Sequence, residues 1–133
     1  MAPDRIARAR DNRGAMIRLV GSAEDGSTHL ENRIGESAAH PYLYMASQLH
    51  CGLAGIDAEL PLGPSADDPY TADAKRLPAN LSEAIDALEA DEVLIQALGA
   101  QFVSYYAALK RTEIARFQPT VTDWEQREYF DLY

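Results

Sequence analysis

The sequence has one cysteine, Cys51, and no long apolar run. A single cysteine excludes an internal disulfide framework and a multi-cysteine zinc site, and it suits a reducing cytosol. No stretch approaches the roughly 20 apolar residues that a membrane span needs, and the first residues predict no secretory signal peptide. From the lone cysteine we expect a cytoplasmic protein. Basic residues are also scarce, 12 against 21 acidic ones, so we expect no binding to nucleic acid.

The arginines are concentrated in the first quarter of the chain. Residues 1–33 contain six arginines and five acids, a net charge of +1, whereas residues 34–133 contain six basic residues and sixteen acids, a net charge of −10. Such a segment is either a solvated arm with structural ion pairs or a place where anions bind. With 133 residues, of which 47% are apolar, the chain is long enough for one folded domain.

The apolar pattern predicts an α+β fold that is mainly α. Residues 15–20 and 28–34 are typical of two short strands, and the turn-rich residues 21–27 between them favour a hairpin. Four or five helices should follow, with apolar residues at helical spacing. Their expected ranges are 41–56, 80–88, 91–98, 100–117 and a last helix from 122. Two strands alone form a marginal sheet, so this fold needs a further part, either an upstream region or a partner subunit.

The helices should begin at recognisable caps and bury one face each. Asn80 with Glu83, and Thr122 with Glu125, predict capping boxes. The expected buried face of one helix comprises Leu81, Ala84, Ile85 and Leu88. In another helix Phe102, Tyr106, Leu109 and Phe117 mark one side, whose aromatic residues are assigned to the core or to an interface. Residues 57–79 contain four prolines and predict an irregular surface connection, in which Tyr70 is interpreted as an ordinary loop tyrosine.

Three arginines and one acid form the candidate site. In an extended segment His29, Glu31 and Arg33 share a face, because side chains at i and i+2 point the same way. Together with Arg13 and Arg18 they would offer planar guanidinium groups for phosphate or carboxylate oxygens and one carboxylate for a divalent cation. Phosphoryl transfer needs such a set, but simple ion pairs remain the alternative. Arg13 and Arg18 can converge only if Arg13 precedes the strand or a bulge intervenes.

Four motifs in a fixed order resemble a known family. They are Asn12-Arg13-Gly14-Ala15-Met16-Ile17-Arg18, Glu31-Asn32-Arg33, Ala39-His40-Pro41-Tyr42-Leu43 and Gly52-Leu53-Ala54-Gly55-Ile56. This set resembles the C-terminal part of the glutamine synthetase catalytic domain, from about residue 4 to the end of the chain. Residues 1–133 would then be a portion of that α/β domain, with the active-site residues of the strand pair in 1–34 and the helical part in 35–133.

The resemblance implies a role for each site residue. Glu31 matches a glutamate that ligates a divalent metal, Mg²⁺ or Mn²⁺, and Arg33 matches an arginine that contacts substrate glutamate and its activated γ-carboxyl. Arg13 and Arg18 match arginines that hold the phosphates of ATP. The implied reaction joins glutamate to ammonia or another amine through γ-glutamyl phosphate, as in glutamine biosynthesis and nitrogen metabolism, in a homo-oligomer whose active sites lie between subunits. Some members carry a regulatory tyrosine near the position of Tyr70, where the flanking residues match poorly.

Three departures concern the substrate. His40 stands where the family usually has asparagine, and Gly35-Glu36-Ser37 replaces a Pro-Asp-Pro common in the ammonia-using members. The lysine that many members carry ahead of the metal-binding glutamate has no clear counterpart. All three fit relatives that use other amines. The remaining metal ligands of the family should lie upstream, so this chain alone is expected to be inactive. The alternative function is a non-catalytic relic that serves as an oligomerisation or anion-binding module.

Overall fold

The chain folds as two units, Met1–Ala79 and Asn80–Tyr133. The structure is a computed structural model that describes residues 2–62, 65–130 and 132. Within these described residues, the first unit holds a small sheet and one helix, and the second holds four helices. Both the strand residues and the long irregular segment belong to the first unit, so the candidate site has to be sought there.

The sheet of the first unit contains the expected hairpin. Strand β2 (Ile17–Val20) pairs antiparallel with β3 (His29–Asn32) and places Arg18 directly opposite Glu31. The turn-rich residues 21–27 connect the two strands, as their composition predicts. The hairpin prediction is confirmed, with strands slightly shorter than the predicted ranges.

The prediction of a two-stranded sheet is wrong, because a third strand lies beside the hairpin. Strand β1 (Arg8–Arg10) pairs parallel with β2, with Arg8 opposite Ile17, and gives the order β1-β2-β3. Parallel strands usually need a crossover of a dozen or more residues. Here residues 11–16 suffice, because β1 is only three residues long. Strand β1 is too short to show the alternation of apolar and polar residues by which a strand is predicted, because its one buried residue, Ala9, lies between two arginines.

The first helix, α1 (Pro41–Asp57), begins and ends where the periodicity predicts. Pro41 occupies the first turn, where its missing N–H costs no hydrogen bond. Its apolar stripe is solvent-exposed in the described chain, and the stripe comprises Tyr42, Met45, Leu49, Leu53 and Ile56. Exposed apolar surface of this kind favours association, so we predict that the isolated chain self-associates. Among the described residues, the structure contains no helix with the length and apolar character to cross a membrane.

The second unit contains the other predicted helices in the predicted order. They are α2 (Leu81–Glu89), α3 (Glu92–Leu98), α4 (Ala100–Phe117) and α5 (Asp123–Tyr129). Asn80 caps α2 by accepting a hydrogen bond from the backbone N–H of Glu83, and its Nδ2 donates to Glu83 Oε1 at 2.8 Å. Gly99 separates α3 from α4 with φ of +89°, a conformation that glycine adopts without a Cβ clash.

The buried faces of α2 and α4 are narrower than the sequence predicts. Ile85 is 3% exposed, and Val103 and Ala107 on α4 are 3% and 1% exposed, whereas Leu81 and Ala84 are exposed. On α4, Phe102 and Phe117 are exposed, as is Leu109 on the same side, so they do not belong to the core of this unit and the interface alternative stays a prediction. A single i, i+4 pair of small side chains lets α2 approach α4 closely, and the large side chains lie outside that contact.

The ends of these helices carry polar and aromatic contacts. Arg111 bridges α4 to α2 through Asp86 at 2.8 Å and through Glu89. In α5 the ring of Trp124 meets Tyr129 edge-on at 6.0 Å, although Trp124 is mostly exposed, as is Phe130. The sequence also predicts Tyr133 among the aromatic residues of this last helix, and Tyr133 lies outside the described residues.

The capping box at the start of α5 gives a pH-dependent prediction. The carboxylate of Glu125 accepts hydrogen bonds from the backbone N–H and the hydroxyl of Thr122, and these lower the pKa of Glu125 below its ordinary 4.5. A lowered pKa means that the cap stabilises α5 above the ordinary value and that this stabilisation is lost as pH falls through the folded value. We expect Glu125 to titrate below pH 4.5 when its carboxyl carbon is followed by NMR.

Thr122→Ala provides the control for that titration. It removes the hydroxyl but keeps the backbone N–H, so the pKa of Glu125 should rise only part of the way to its ordinary value. Equal pKa values in the two proteins would contradict the assigned capping geometry.

Candidate active site

The centre of the candidate site is an ion pair across the hairpin. Arg18 on β2 and Glu31 on β3 are cross-strand partners, so their side chains project from the same face of the sheet. Arg18 Nη1 lies 3.1 Å from Glu31 Oε2 and 3.3 Å from Oε1. The Arg18 side chain is 17% exposed, and its Nε is buried without a hydrogen-bond partner among the described residues. The hairpin register thus fixes a guanidinium beside a carboxylate.

Two more side chains of the same segment reach the carboxylate of Glu31. Arg33 Nη1 donates to Oε2 at 3.2 Å, and His29 Nε2 lies 3.6 Å from Oε1. The prediction that His29, Glu31 and Arg33 share a face agrees with these contacts. All three side chains stay partly exposed, so water and solutes can reach them.

These contacts shift the acidity of two groups. The guanidinium of Arg18, helped by that of Arg33, lowers the pKa of Glu31 below its ordinary value, so the carboxylate is charged at neutral pH. The carbonyl of Ser27, which lies 2.6 Å from His29 Nδ1, raises the pKa of His29, and Glu31 adds to this effect. An ionised, accessible carboxylate is the form that binds a hard cation.

Arg13 lies in the turn that precedes β2, which is one of the two conditions for its convergence with Arg18. The carbonyl oxygen of Arg13 accepts a hydrogen bond from Arg33 Nε at 3.0 Å, so the backbone of this turn is joined to the cluster. The Arg13 side chain is exposed, and within residues 2–62, 65–130 and 132 it makes no ion pair. The structure therefore brings Arg18, Glu31 and Arg33 together, whereas Arg13 joins them through its backbone carbonyl and its side chain is exposed.

Asp11 is a member of the cluster that the sequence analysis missed. Its Oδ1 lies 3.4 Å from Arg18 Nη2, and its backbone adopts a φ of +49° where β1 ends. Asp11 follows β1, the strand that the sequence did not predict, so no predicted strand or helix pointed to this residue. Counting Arg13, Arg18 and Arg33 against Asp11 and Glu31, the cluster carries one net positive charge.

The other N-terminal arginines have structural partners. Arg5 donates to the carbonyl of Tyr70 at 2.8 Å, Arg8 to that of Leu62 at 2.9 Å, and Arg10 to that of Gly21 at 2.6 Å. A guanidinium with several N–H donors can satisfy loop carbonyls that no strand reaches. The arginines of residues 1–33 thus form two groups. One group donates hydrogen bonds to backbone carbonyls, and the other belongs to the cluster around Glu31.

The cluster fits one part of a divalent-metal site. Glu31 provides a charged, accessible oxygen ligand, whereas the described residues contain no group of three or more histidine, cysteine or acidic side chains that could hold a metal ion. Mg²⁺ commonly takes one or two protein carboxylates and completes its shell with water and phosphate oxygens. Glu31 is therefore suited to be one ligand among others.

A cavity of about 620 Å³ lies on the opposite face of the sheet. Ile17 and Met16 line it together with Ile6, and its walls are mainly apolar. None of the four candidate residues lines this cavity, because Arg18 projects to the other side of β2 from Ile17. The charged cluster is an open surface and not the floor of this cavity.

Comparison with known proteins shows the family. The protein-family model of the glutamine synthetase catalytic domain matches residues 1–129. A gamma-glutamylanilide synthase of Acinetobacter is 45% identical over 99% of the chain, and the gamma-glutamylethanolamide synthetase GlnA4 of Streptomyces coelicolor is 36% identical over 98%. The structure of an ADP complex of GmaS superposes with a TM-score of 0.80 at 37% identity and covers 98% of the chain.

The chain belongs to the glutamine synthetase catalytic-domain family. It spans 29% and 28% of the length of the two relatives and 30% of the GmaS chain. The resemblance inferred from the four motifs is thereby confirmed, as is the α+β fold with its helical second part. Of the two relatives with named activities, one is a synthase and the other a synthetase.

Proposed function

We propose that this chain provides the C-terminal part of the active site of an ATP-dependent glutamate–amine ligase. The observation that supports the proposal is the ion-pair cluster in which Arg18 and Arg33 flank Glu31 on one sheet face. Within it, Arg13 and Arg18 bind ATP phosphates, Arg33 contacts glutamate and its activated γ-carboxyl, and Glu31 ligates Mg²⁺ or Mn²⁺. The family match over residues 1–129 makes the same assignment reasonable for each of the four positions.

The proposed reaction has two steps. A γ-carboxylate oxygen of glutamate attacks the γ-phosphorus of ATP, and ADP leaves. The amine nitrogen then attacks the carbonyl carbon of γ-glutamyl phosphate, phosphate departs, and the nitrogen loses a proton as the amide forms. Guanidinium groups stabilise both steps, because each accumulates negative charge on phosphate oxygens. A divalent cation at Glu31 would neutralise further phosphate charge.

The two relatives suggest an acceptor other than ammonia. They are named for anilide and ethanolamide products, and residues 35–37 and His40 differ from the pattern of the ammonia-using members. We propose that the acceptor is a primary amine with a carbon substituent, with ammonia as the alternative. The complete enzyme, meaning this chain joined to the upstream part of the catalytic domain, is proposed to be a homo-oligomer with active sites between adjacent subunits.

A hydroxamate assay tests this proposal. With glutamate, hydroxylamine and Mg·ATP, the complete enzyme should form γ-glutamyl hydroxamate, and phosphate release should depend on glutamate. The isolated chain should give a blank, because Glu31 alone cannot complete a metal site.

The assay of the isolated chain and the assay of the complete enzyme test different parts of the proposal. Turnover by the isolated chain would refute its proposed dependence on the upstream part. A complete enzyme that releases no glutamate-dependent phosphate would refute the ligase and favour the non-catalytic module.

A further inference from the structure

The irregular segment after α1 is held along the first strand of the sheet. We define the clamp segment as residues 65–77, which contain no helix or strand of their own. Hydrogen bonds between described residues join it to residues 4–12, and six of them define its path. They are Ala66 N to Arg8 O, Asn12 Nδ2 to Asp67 O, Arg5 Nε to Tyr70 O, Arg5 Nη1 to Ala74 O, Ile6 N to Lys75 O and Leu77 N to Asp4 O. The segment is thus a fixed part of the first unit.

Tyr70 of the clamp segment packs against Gly14. A Cβ atom added to Gly14 would lie 2.8 Å from Tyr70 Cε2, 3.1 Å from Cζ and 3.2 Å from the hydroxyl oxygen. Real Cβ atoms are not found so close to a ring carbon, so only glycine fits here while the ring keeps its place. Tyr70 is a loop residue, as the sequence predicts, and its ring in addition covers the turn that carries Arg13.

The turn from Asn12 to Gly14 is fixed from two sides. Asn12 Oδ1 accepts a hydrogen bond from the backbone N–H of Gly14 at 2.9 Å, and Asn12 Nδ2 donates to Asp67 O at 3.2 Å. Gly14 itself is buried beneath the ring of Tyr70. Arg13 lies between these two residues, and its carbonyl oxygen accepts a hydrogen bond from Arg33 Nε. The position of this turn therefore sets the position of two guanidinium groups.

We propose that Tyr70 is a positioning residue, whose ring holds the Asn12–Gly14 turn so that Arg13 and Arg33 face the reacting phosphate and carboxyl groups. This inference rests on the proposed function. The exposed Arg13 side chain has no partner among the described residues that could orient it in place of the turn. Displacement of a catalytic group by about 1 Å can reduce the rate about 100-fold, so a modest shift of the turn has a measurable effect.

The kinetic test uses Tyr70→Ala and Tyr70→Phe in the complete enzyme. Tyr70→Ala should raise KM for ATP about 5-fold and lower kcat about 10-fold, because the phosphate-binding arginine is displaced. Tyr70→Phe keeps the ring on Gly14 and should restore both constants to within about twofold. A purely structural defect would reduce the amount of active enzyme and lower the apparent kcat, but KM would stay unchanged.

A matched pair of glycine variants tests the contact from the other side. Gly14→Ala should reproduce the kinetic effect of Tyr70→Ala, because the new methyl group pushes the ring away. Gly26→Ala is the control, since a Cβ at Gly26 meets nothing within 4 Å, and its constants should not change. The double variant Gly14→Ala with Tyr70→Ala should be no worse than either single variant, because both remove the same contact.

The isolated chain gives a spectroscopic readout of the same contact. The ring should shift the Hα signals of Gly14 in the NMR spectrum, and Tyr70→Ala should abolish this displacement while Tyr70→Phe retains it. The signals of Gly26 should not move in any variant.

The outcomes separate this inference from the proposed function. An unchanged KM for ATP in Tyr70→Ala, with an impaired Arg13→Ala, would overturn the positioning role and leave the ligase intact. Unimpaired turnover in Arg13→Ala would instead overturn the proposed role of Arg13, whatever the effect of Tyr70→Ala.

Discussion

Arg13→Ala in the complete enzyme is expected to lower kcat about 100-fold, on the order of 3 kcal/mol of transition-state stabilisation. Arg13 is exposed, its carbonyl oxygen accepts a hydrogen bond from Arg33 of the Glu31 cluster, and its side chain makes no ion pair within the described residues, so its guanidinium is available to a transferring phosphoryl group. Steady-state kinetics with glutamate and an amine measure the change. Arg116→Ala is the matched control, because Arg116 is an exposed arginine in the last turn of α4, and its kcat should stay within about twofold.

Glu31→Gln is the companion variant and is expected to have a loss of similar size. It keeps the shape of the side chain but removes its charge, so Arg18 and Arg33 lose the anion that they share. If Glu31 is a metal ligand, the variant should also need a higher Mg²⁺ concentration for half-maximal activity, because an amide oxygen is a weaker ligand than a carboxylate. Near-normal turnover of both Arg13→Ala and Glu31→Gln would refute the roles assigned to these two residues.

Ile85→Ala is expected to destabilise the second unit by about 3 kcal/mol. Ile85 is the large apolar side chain that α2 buries, and Val103 and Ala107 of α4 are the buried residues of the partner helix. Truncation removes apolar surface from this small contact and leaves a cavity that the helices cannot fill completely. Urea unfolding followed by the fluorescence of Trp124, the only tryptophan of the chain, measures the change in the free energy of unfolding.

Val121→Ala is the control for Ile85→Ala. Val121 belongs to the same unit and is 66% exposed, so its truncation should change the free energy of unfolding by less than about 0.5 kcal/mol. Similar effects of the two substitutions would mean that Ile85 does not hold α2 on α4.

Elements with a long stretch of periodic apolar residues or with a clear helix cap were predictable from the sequence. The helix of residues 41–57 has apolar residues at helical spacing and a proline in its first turn, and the cap at Thr122 has its glutamate three residues later. Such signals are local, because each depends on neighbours within one or two helical turns. The hairpin was predictable for the same reason, since its turn and both strands lie within twenty residues.

The buried faces and the third strand were not predictable in this way. Leu81 and Ile85 are equivalent in the periodic pattern of α2, and only the position of α4 decides that Ile85 is buried and Leu81 is exposed. Strand β1 is identified by its pairing with β2, because three residues with arginines at both ends carry no period of their own. Burial and pairing depend on residues distant in sequence, which a local pattern does not contain.

The sequence alone determined the family, the order of the helices and the identity of Arg13, Arg18, Glu31 and Arg33 as candidates, because motif spacing and periodicity are properties of the chain. The tertiary structure decided which of them meet. It placed Arg18 on Glu31 through the hairpin register, beside the local contact of Arg33 with Glu31, added Asp11, and put Tyr70 on the turn of Arg13. These contacts join residues up to 56 positions apart, from Gly14 to Tyr70, and only the folded chain brings such residues within van der Waals distance.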